Sequence, residues 1–231
     1  HSVTVAENSQ LIAAGLGLGG TEAALARAAG LLHDIGRFTQ YARYASFIDA
    51  RSLDHGLEGR RVLEEKAASL FAAAPSFARL LCAVQYHNRK AEDLPPDLPP
   101  AGNSLLRLVR DADKIAILEM LLDSVEKDGS RVMRDIIPEI KLTGELTPAV
   151  LEAVARGEPL SIKSLVTIAD VMVMAACWFY DLNYAPTRRL AAERGFLDRI
   201  RKRLPENPVL TGLFSALTKT ISRPGPQYTE P

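Results

Sequence analysis

An all-α fold is predicted by three features of the sequence. Alanine is abundant, alternating β-branched runs are nearly absent, and apolar residues recur at helical spacing through most of the chain. Thr21 and Glu22 start a helix through Ala23, Leu25, Ala28 and Leu32, and Gly36 is expected to mark its end. A second helix follows Asp54 and runs to about Ala74, with Leu63, Ala67, Leu70 and Phe71 on one face. Pro75 and Ser76 open a third, through Leu80 and Val84 to near Asn88. Pro95, Pro96, Pro99 and Pro100 then make a loop that no helix could cross. From Asn103 a long helix carries Leu105, Val109, Ala112 and Ala116. Ser161–Tyr180, Pro186–Leu204 and Pro208–Ile221 read as three more, with Trp178 and Phe179 in the core. From Ser222 three prolines and no core pattern suggest a loose tail over 222–231.

The chain has 231 residues, enough for one large domain or a domain with an appendage. A chain of this length buries roughly 70–75% of the surface that its unfolded form exposes, so no disulfide or metal staple is needed for a core. With 47% hydrophobic and 24% charged residues it is globular rather than disordered. Lysine plus arginine equals aspartate plus glutamate at 28 each, which argues against a protein that coats nucleic acid or an anionic membrane. A small phosphate-bearing ligand in a locally charged pocket remains compatible. Cys82 and Cys177 lie far apart with no C-x-x-C pair, so neither a disulfide framework nor a zinc ribbon is expected, and a cytoplasmic setting fits. The longest apolar run, Val171 to Tyr180, is half a membrane span, so no transmembrane helix is expected. Glu7 and Glu22 flank the first apolar stretch with no basic start, so no signal peptide is expected. The chain opens on a histidine, and a further segment upstream of it is expected.

The chemistry concentrates in the histidines. There are four, His1, His33, His55 and His87, all within the first 87 residues. His33 precedes Asp34 in L-L-H-D-I-G-R-F, His55 follows Asp54 in S-L-D-H-G, and His87 lies in Q-Y-H-N-R. Asp111 and Asp113 interrupt an apolar helix in L-V-R-D-A-D-K-I. Imidazoles and carboxylates without cysteine suit a divalent metal such as Fe, Mn, Zn or Co. An adjacent His-Asp pair shares a coordination shell if the helix ends there, which Gly36 permits. A carboxylate such as Asp113 in an apolar helix is costly to bury without a partner, and a metal ion is a good one. Six such groups suffice for two metals bridged by one carboxylate, a centre that lowers the pKa of a water and clamps a phosphoryl oxygen.

These segments resemble the HD-domain superfamily of metal-dependent phosphohydrolases. The resemblance rests on H-S-V-T-V-A at the start, H-D-I-G-R-F at 33–38, D-H-G at 54–56, Y-H-N at 86–88 and D-A-D-K at 111–114, and spans residues 1 to about 125. It implies an HD-type helical bundle, with accessory helices over about 126–221 packed against it in a single domain. It implies that His1, His33, Asp34 and Asp113 bind one metal, and that Asp34 bridges to a second held by His55 and His87, as in the dinuclear branch. The last ligand of the family is the aspartate of an A-D pair, which selects Asp113; Asp111 would then face solvent or pair with Arg107 or Arg110. The chain departs from the HD-GYP pattern, since no second histidine and no G-Y-P follows Tyr86-His87-Asn88.

Without the resemblance, His1 is a tag remnant, His33–Asp34 a helix end with a satisfied core histidine, His55 a surface residue and His87 a helix C-terminal cation. Arg37, just past the His-Asp pair, is placed to clamp a phosphate, and Lys114, Arg89 and Lys90 are further candidates beside solvated-surface roles. Gln40, Tyr41, Tyr44 and Asp49 are expected to form a polar-aromatic loop that lines the pocket. The seven basic and two acidic residues of Arg188–Arg203 read as the outer face of an amphipathic helix rather than a nucleic-acid site, because Leu190, Leu197, Ile200 and Leu204 form its apolar stripe. The expected activity is hydrolysis of a small phosphomonoester or phosphodiester, such as a nucleotide or metabolite. Asp34 would be a ligand and a proton acceptor, with Arg37 or Lys114 adding charge, and two divalent ions as cofactors, Fe, Mn, Zn, Co or Mg. No membrane or nucleic-acid partner is expected, and a homo-oligomer is compatible. The same six ligands also resemble those of HD-type di-iron oxygenases. A non-catalytic signalling module is the third reading.

Overall fold

The computed structural model describes residues 1–70, 75–127, 140–142 and 144–230. Among them the regular structure is helical, apart from one isolated bridge between Lys141 and Thr167. No described helix is long and apolar enough to cross a membrane. Contacts divide the chain into two compact units, His1–Ala116 with Pro226–Pro231, and Ile117–Gly225.

The first unit contains α1 (Ser2–Gly15), α2 (Gly20–Leu32), α3 (Gly36–Tyr44), α4 (His55–Ala67), α5 (Pro75–Tyr86) and the first part of α6 (Pro100–Lys127). Its core holds Val5, Ile12, Leu80, Val84, Leu105, Leu108, Val109 and Ile115, none more than 1% exposed. Small residues let α1 and α2 approach closely. A methyl group on Gly30 would collide with Ser9 Oγ and stand 2.9 Å from the Val5 carbonyl oxygen. Arg79 on α5 and Glu22 on α2 form a bidentate pair, both contacts 2.7 Å, with little solvent access. Tyr228, in the segment expected as a loose tail, accepts a bond of 2.8 Å from Arg79 and donates one of 3.2 Å to Glu22.

Two expectations for this unit need correction. Gly36 opens α3 rather than closing α2, and the stretch expected as a polar-aromatic loop is helical as far as Tyr44. Its buried residues are Gly36 and Gln40, so it carries no apolar stripe for sequence periodicity to detect. α4 ends at Ala67 and continues as a 3-10 turn over Ala68–Leu70; the expected extension through Phe71 to Ala74 lies outside the described residues. α6 starts at Pro100, three residues before the expected Asn103, because proline suits the first helical position.

Glycines bring α3, α4 and α5 together. A methyl on Gly36 would overlap the His55 carbonyl and lie 2.6 Å from Gly59 N. On the same face of α4, a methyl on Gly56 would lie 2.6 Å from the Gln85 carbonyl, and one on Gly59 would lie 2.9 Å from Val84 Cγ1. Asp54 caps α4, accepting from Gly56 N at 3.0 Å and Leu57 N at 3.2 Å. The segments that carry Asp34, His55 and His87 therefore converge with backbone nearly touching backbone.

The second unit holds the end of α6, then α7 (Pro148–Arg156), α8 (Ile168–Cys177), α9 (Ala185–Glu193), α10 (Phe196–Arg201) and α11 (Pro208–Ile221). Part of the expected accessory region, 128–139 and 143, lies outside the described residues. The helix expected over Ser161–Tyr180 is three elements, with 3-10 turns at Ile162–Ser164 and Trp178–Asp181 flanking α8. Thr167 and Asp170 form a capping box that starts α8 there. Asp170 is fully buried and also accepts from Thr147 N, Thr147 Oγ1 and Val166 N at 2.9, 3.2 and 3.0 Å. The helix expected over Pro186–Leu204 breaks at Gly195, whose φ of 64° lies in the left-handed region. Phe179 is in the core, but Trp178 is only half-buried.

Arg188 corrects the outer-face reading of the basic run. It is buried and donates to the Leu182, Asn183 and Arg223 carbonyls at 2.7, 2.9 and 2.6 Å. Arg194 pairs with Glu119, and Arg199 with Asp123 and Glu126. Much of the basic run is thus spent inside the unit.

Gly36→Ala is expected to destabilise the protein by about 2 kcal/mol or more, since backbone rather than a flexible side chain blocks the methyl; denaturant melts check this. Arg79→Met should cost on the order of 3 kcal/mol, because it strands a largely buried carboxylate. Arg79 holds the Glu22 carboxyl below its ordinary value of 4.5 by hydrogen bonding and charge, against the opposing effect of burial. The pair therefore stabilises fully above that value and loses its contribution as pH falls through the lower folded value. The gap between wild-type and Arg79→Met stability should accordingly close on acidification below about pH 4. Asp170→Ala should cost about 3 kcal/mol or more, by leaving several buried donors unpaired.

Candidate metal centre

All six expected ligands belong to the first unit, and the structure brings them together. His33 lies at the C-terminal end of α2, with Asp34 in the turn that follows. His55 is the first residue of α4, His87 follows α5, and Asp113 lies on α6. His1 caps the start of α1. Buried Asn8, two turns further along α1, donates to the Ala112 carbonyl at 3.2 Å and so ties α1 to α6 beside Asp113. His1 Nε2 then meets Asp113 Oδ1 at 2.9 Å.

Asp34 is the common point. His1, His33 and Asp34 offer ligand atoms within 4.8 Å of one another, and so do Asp34, His55 and His87. Asp34 Oδ2 is 3.6 Å from His33 Nε2, while Oδ1 is 3.3 Å from His55 Nε2 and 3.5 Å from His87 Nε2. Asp113 Oδ1 is 3.6 Å from His33 Nε2. Burial works against ionising Asp34, but where His87 and His33 are protonated, the contact with His87 and the positive charge of both rings and of Arg37 hold its carboxyl down at about 2. Burial likewise opposes ionisation of Asp113, and the close approach and charge of a protonated His33 outweigh it to lower the pKa. At His33 burial disfavours the charged ring, yet Asp113 and Asp34 raise its pKa overall. The centre therefore attracts positive charge.

The hydrogen bonds on the far side of each ring test whether a cation fits. His33 Nδ1 lies 2.8 Å from the Gly30 carbonyl oxygen and His87 Nδ1 lies 2.8 Å from that of Val84. A carbonyl only accepts, so both Nδ1 atoms carry the proton. His55 Nδ1 faces the Asp49 carboxylate at 2.7 Å and donates for the same reason. In the neutral rings each Nε2 is then a lone pair pointing into the centre. Buried His33 Nε2 has no hydrogen-bond partner. His55 Nε2 and His87 Nε2 stand 3.1 Å apart, where two lone pairs repel unless a proton or a cation lies between them. Imidazole nitrogens and carboxylates form a donor set suited to a divalent transition metal, and these residues fit one.

The flanking candidates fall into different places. Arg37 donates through Nε to Asp34 at 3.3 Å and through Nη1 to Gln40, the Phe47 carbonyl and Asp49 at 3.0, 2.7 and 3.2 Å. Lys114 follows Asp113 on α6 and is partly buried. Arg89 pairs with Asp54, and Lys90 with Glu92 at the surface. Tyr41 and Tyr44 are exposed on α3, and Tyr41 stacks on Phe47 with ring centroids 4.8 Å apart. The solvent-facing position expected for Asp111 is wrong. It is fully buried, whereas the Asp113 side chain keeps 19% exposure. Two residues apart on a helix means opposite directions, and in α6 the inner direction belongs to Asp111. Sequence reasoning missed Asn8, whose signal was an amide inside an alanine-rich helix, and saw Asp49 and Gln40 only as pocket lining.

A family model described as HD domain matches residues 1–118. No curated protein and no solved structure matches the chain. The matched span covers just over half of the chain and takes in all six clustered residues. With that match over this geometry, the chain belongs to the HD-domain family, a superfamily of the metal-dependent phosphohydrolase type.

Proposed function

We propose that the protein hydrolyses a small phosphomonoester or phosphodiester at a two-cation centre. His1, His33, Asp34 and Asp113 would hold one divalent ion, and Asp34, His55 and His87 the other. The observation that carries this reading is the convergence of three Nε2 lone pairs on carboxylates that include the shared Asp34. Such ions supply a water of lowered pKa and neutralise charge on phosphoryl oxygens.

The chain's own residues do the rest. Asp34, held at about 2 by its neighbours, suits the role of a shared anionic ligand; so low a value makes it a weak acceptor for the proton of the attacking water, and that role stays secondary. Arg37 is held by Asp34, Gln40, Phe47 and Asp49 through Nε and Nη1, which leaves Nη2 to bind a phosphoryl oxygen. A guanidinium already fixed in place pays little reorganisation when charge develops on that oxygen. Lys114, next to Asp113, adds a second positive charge.

His33→Ala and Asp34→Ala are each expected to remove bound metal and to lower phosphate release at least about 1,000-fold, the scale on which loss of a central electrostatic group acts. Metal analysis of protein purified without chelator and without air, with a panel of phosphomonoesters and phosphodiesters, checks both. Full activity in either variant would overturn the site. Bound iron with oxygen uptake and no phosphate release would replace hydrolysis by the oxygenase reading.

A further inference from the structure

Asp49 lies outside the six-ligand set, in the 3-10 turn Asp49–Arg51 between α3 and α4. Its carboxylate takes donors from several segments around the site. Both oxygens face His55 Nδ1, at 2.8 and 2.7 Å. Oδ1 also accepts from Gln40 Nε2 at 2.9 Å and Arg37 Nη1 at 3.2 Å, and Oδ2 accepts from Asn88 Nδ2 at 3.2 Å. These partners come from α3, from the start of α4 and from the residue after His87. Asp49, Asp54 and His55 also lie close enough to be considered as a separate cation site. Hydrogen-bond donors already fill the Asp49 oxygens, and Asp54 is committed to the α4 cap and to Asn88. A ligand role for Asp49 is therefore disfavoured, and a role through its neighbours is left.

The three buried imidazoles are held in different ways. His33 and His87 are fixed by carbonyls three residues back in their own segments, so local helix geometry orients them. His55 opens its helix and has no preceding turn whose carbonyl could accept from Nδ1. Its ring is oriented by a side chain brought from another element. Without that carboxylate nothing in α4 keeps the proton on Nδ1 and the lone pair on Nε2 directed toward Asp34 and His87.

We propose that Asp49 is a positioning residue that completes the second-cation subsite by orienting His55, and that without it the chain holds the second cation much more weakly than the first. The proposal rests on the two-cation reading above. Gln40, buried within α3, supports the same carboxylate, donating from Nε2 also to Ser52 Oγ at 2.9 Å and to the Leu53 carbonyl at 3.1 Å. Arg37 connects Asp49 to Asp34, so the same network reaches the residue shared by both subsites.

The test is stepwise Mn²⁺ binding to the full chain by titration calorimetry, with metal content measured separately. Wild type should bind two ions. Asp49→Ala should retain one and weaken the second step by about 10- to 100-fold, the usual effect of losing a carboxylate behind a ligating histidine. Asp49→Asn keeps the size and one acceptor for Nδ1–H, so it should weaken the second step less. It also keeps the proposal testable if Asp49→Ala fails to fold. Arg79→Met, a destabilising change whose contacts lie among Glu22 and Tyr228, should leave both steps as in wild type. Two unchanged steps in both Asp49 variants, with wild type binding two, would overturn the proposal alone. One ion or none in wild type would overturn the two-cation reading and this proposal with it.

Discussion

Asp34, His55 and His87 meet because the segments that carry them approach more closely than ordinary side chains at the crossing would permit. In the first unit that constraint is met by glycine. Gly36 lies against the His55 carbonyl and the Gly59 amide, and Gly56 against the Gln85 carbonyl. These contacts bring the turn bearing Asp34, the start of α4 and the end of α5 together at backbone distance. The short separation of the His55 and His87 Nε2 atoms follows from that approach.

The electrostatics are equally interdependent. Nδ1 donation to the Gly30 and Val84 carbonyls and to Asp49 directs three lone pairs inward. Burial opposes ionisation of Asp34 and Asp113, and the contacts and charge of the neighbouring imidazoles, where these are protonated, lower both pKa values. Two of the three fixed imidazoles are oriented by their own helix, and the third by a carboxylate supplied from elsewhere in the chain. The outer network of Asp49, Gln40 and Arg37 thus belongs to the centre as much as the six clustered side chains do.

The legible part of this architecture was whatever leaves a local trace. Apolar spacing revealed α2, α5, α6 and α11, and the order H…HD…H…H…D revealed the ligand candidates. α3 stayed hidden because its buried face is a glycine and a glutamine, with no apolar stripe. The breaks at Thr167 and Gly195 were missed because helical composition continues across them, while a capping box and a left-handed glycine end the helix locally. Asp111 and Asp113 are indistinguishable by composition. Their assignment depended on resemblance, and their burial depended on which side of α6 faces the interior.

Sequence alone determined the all-α class and the identity of the six clustered residues, because helical periodicity and short motifs are local properties of the chain. Only the tertiary structure decided how those residues are arranged. The sharing of Asp34 by two groups, the direction of each imidazole and the anchoring of His55 by Asp49 all depend on contacts between residues distant in sequence. So does the conversion of Arg188 from an apparent surface charge to a buried clamp on three carbonyls. Composition records which groups a chain owns; the orientation of a lone pair or a guanidinium is set by the neighbour it meets, and that neighbour is chosen by packing.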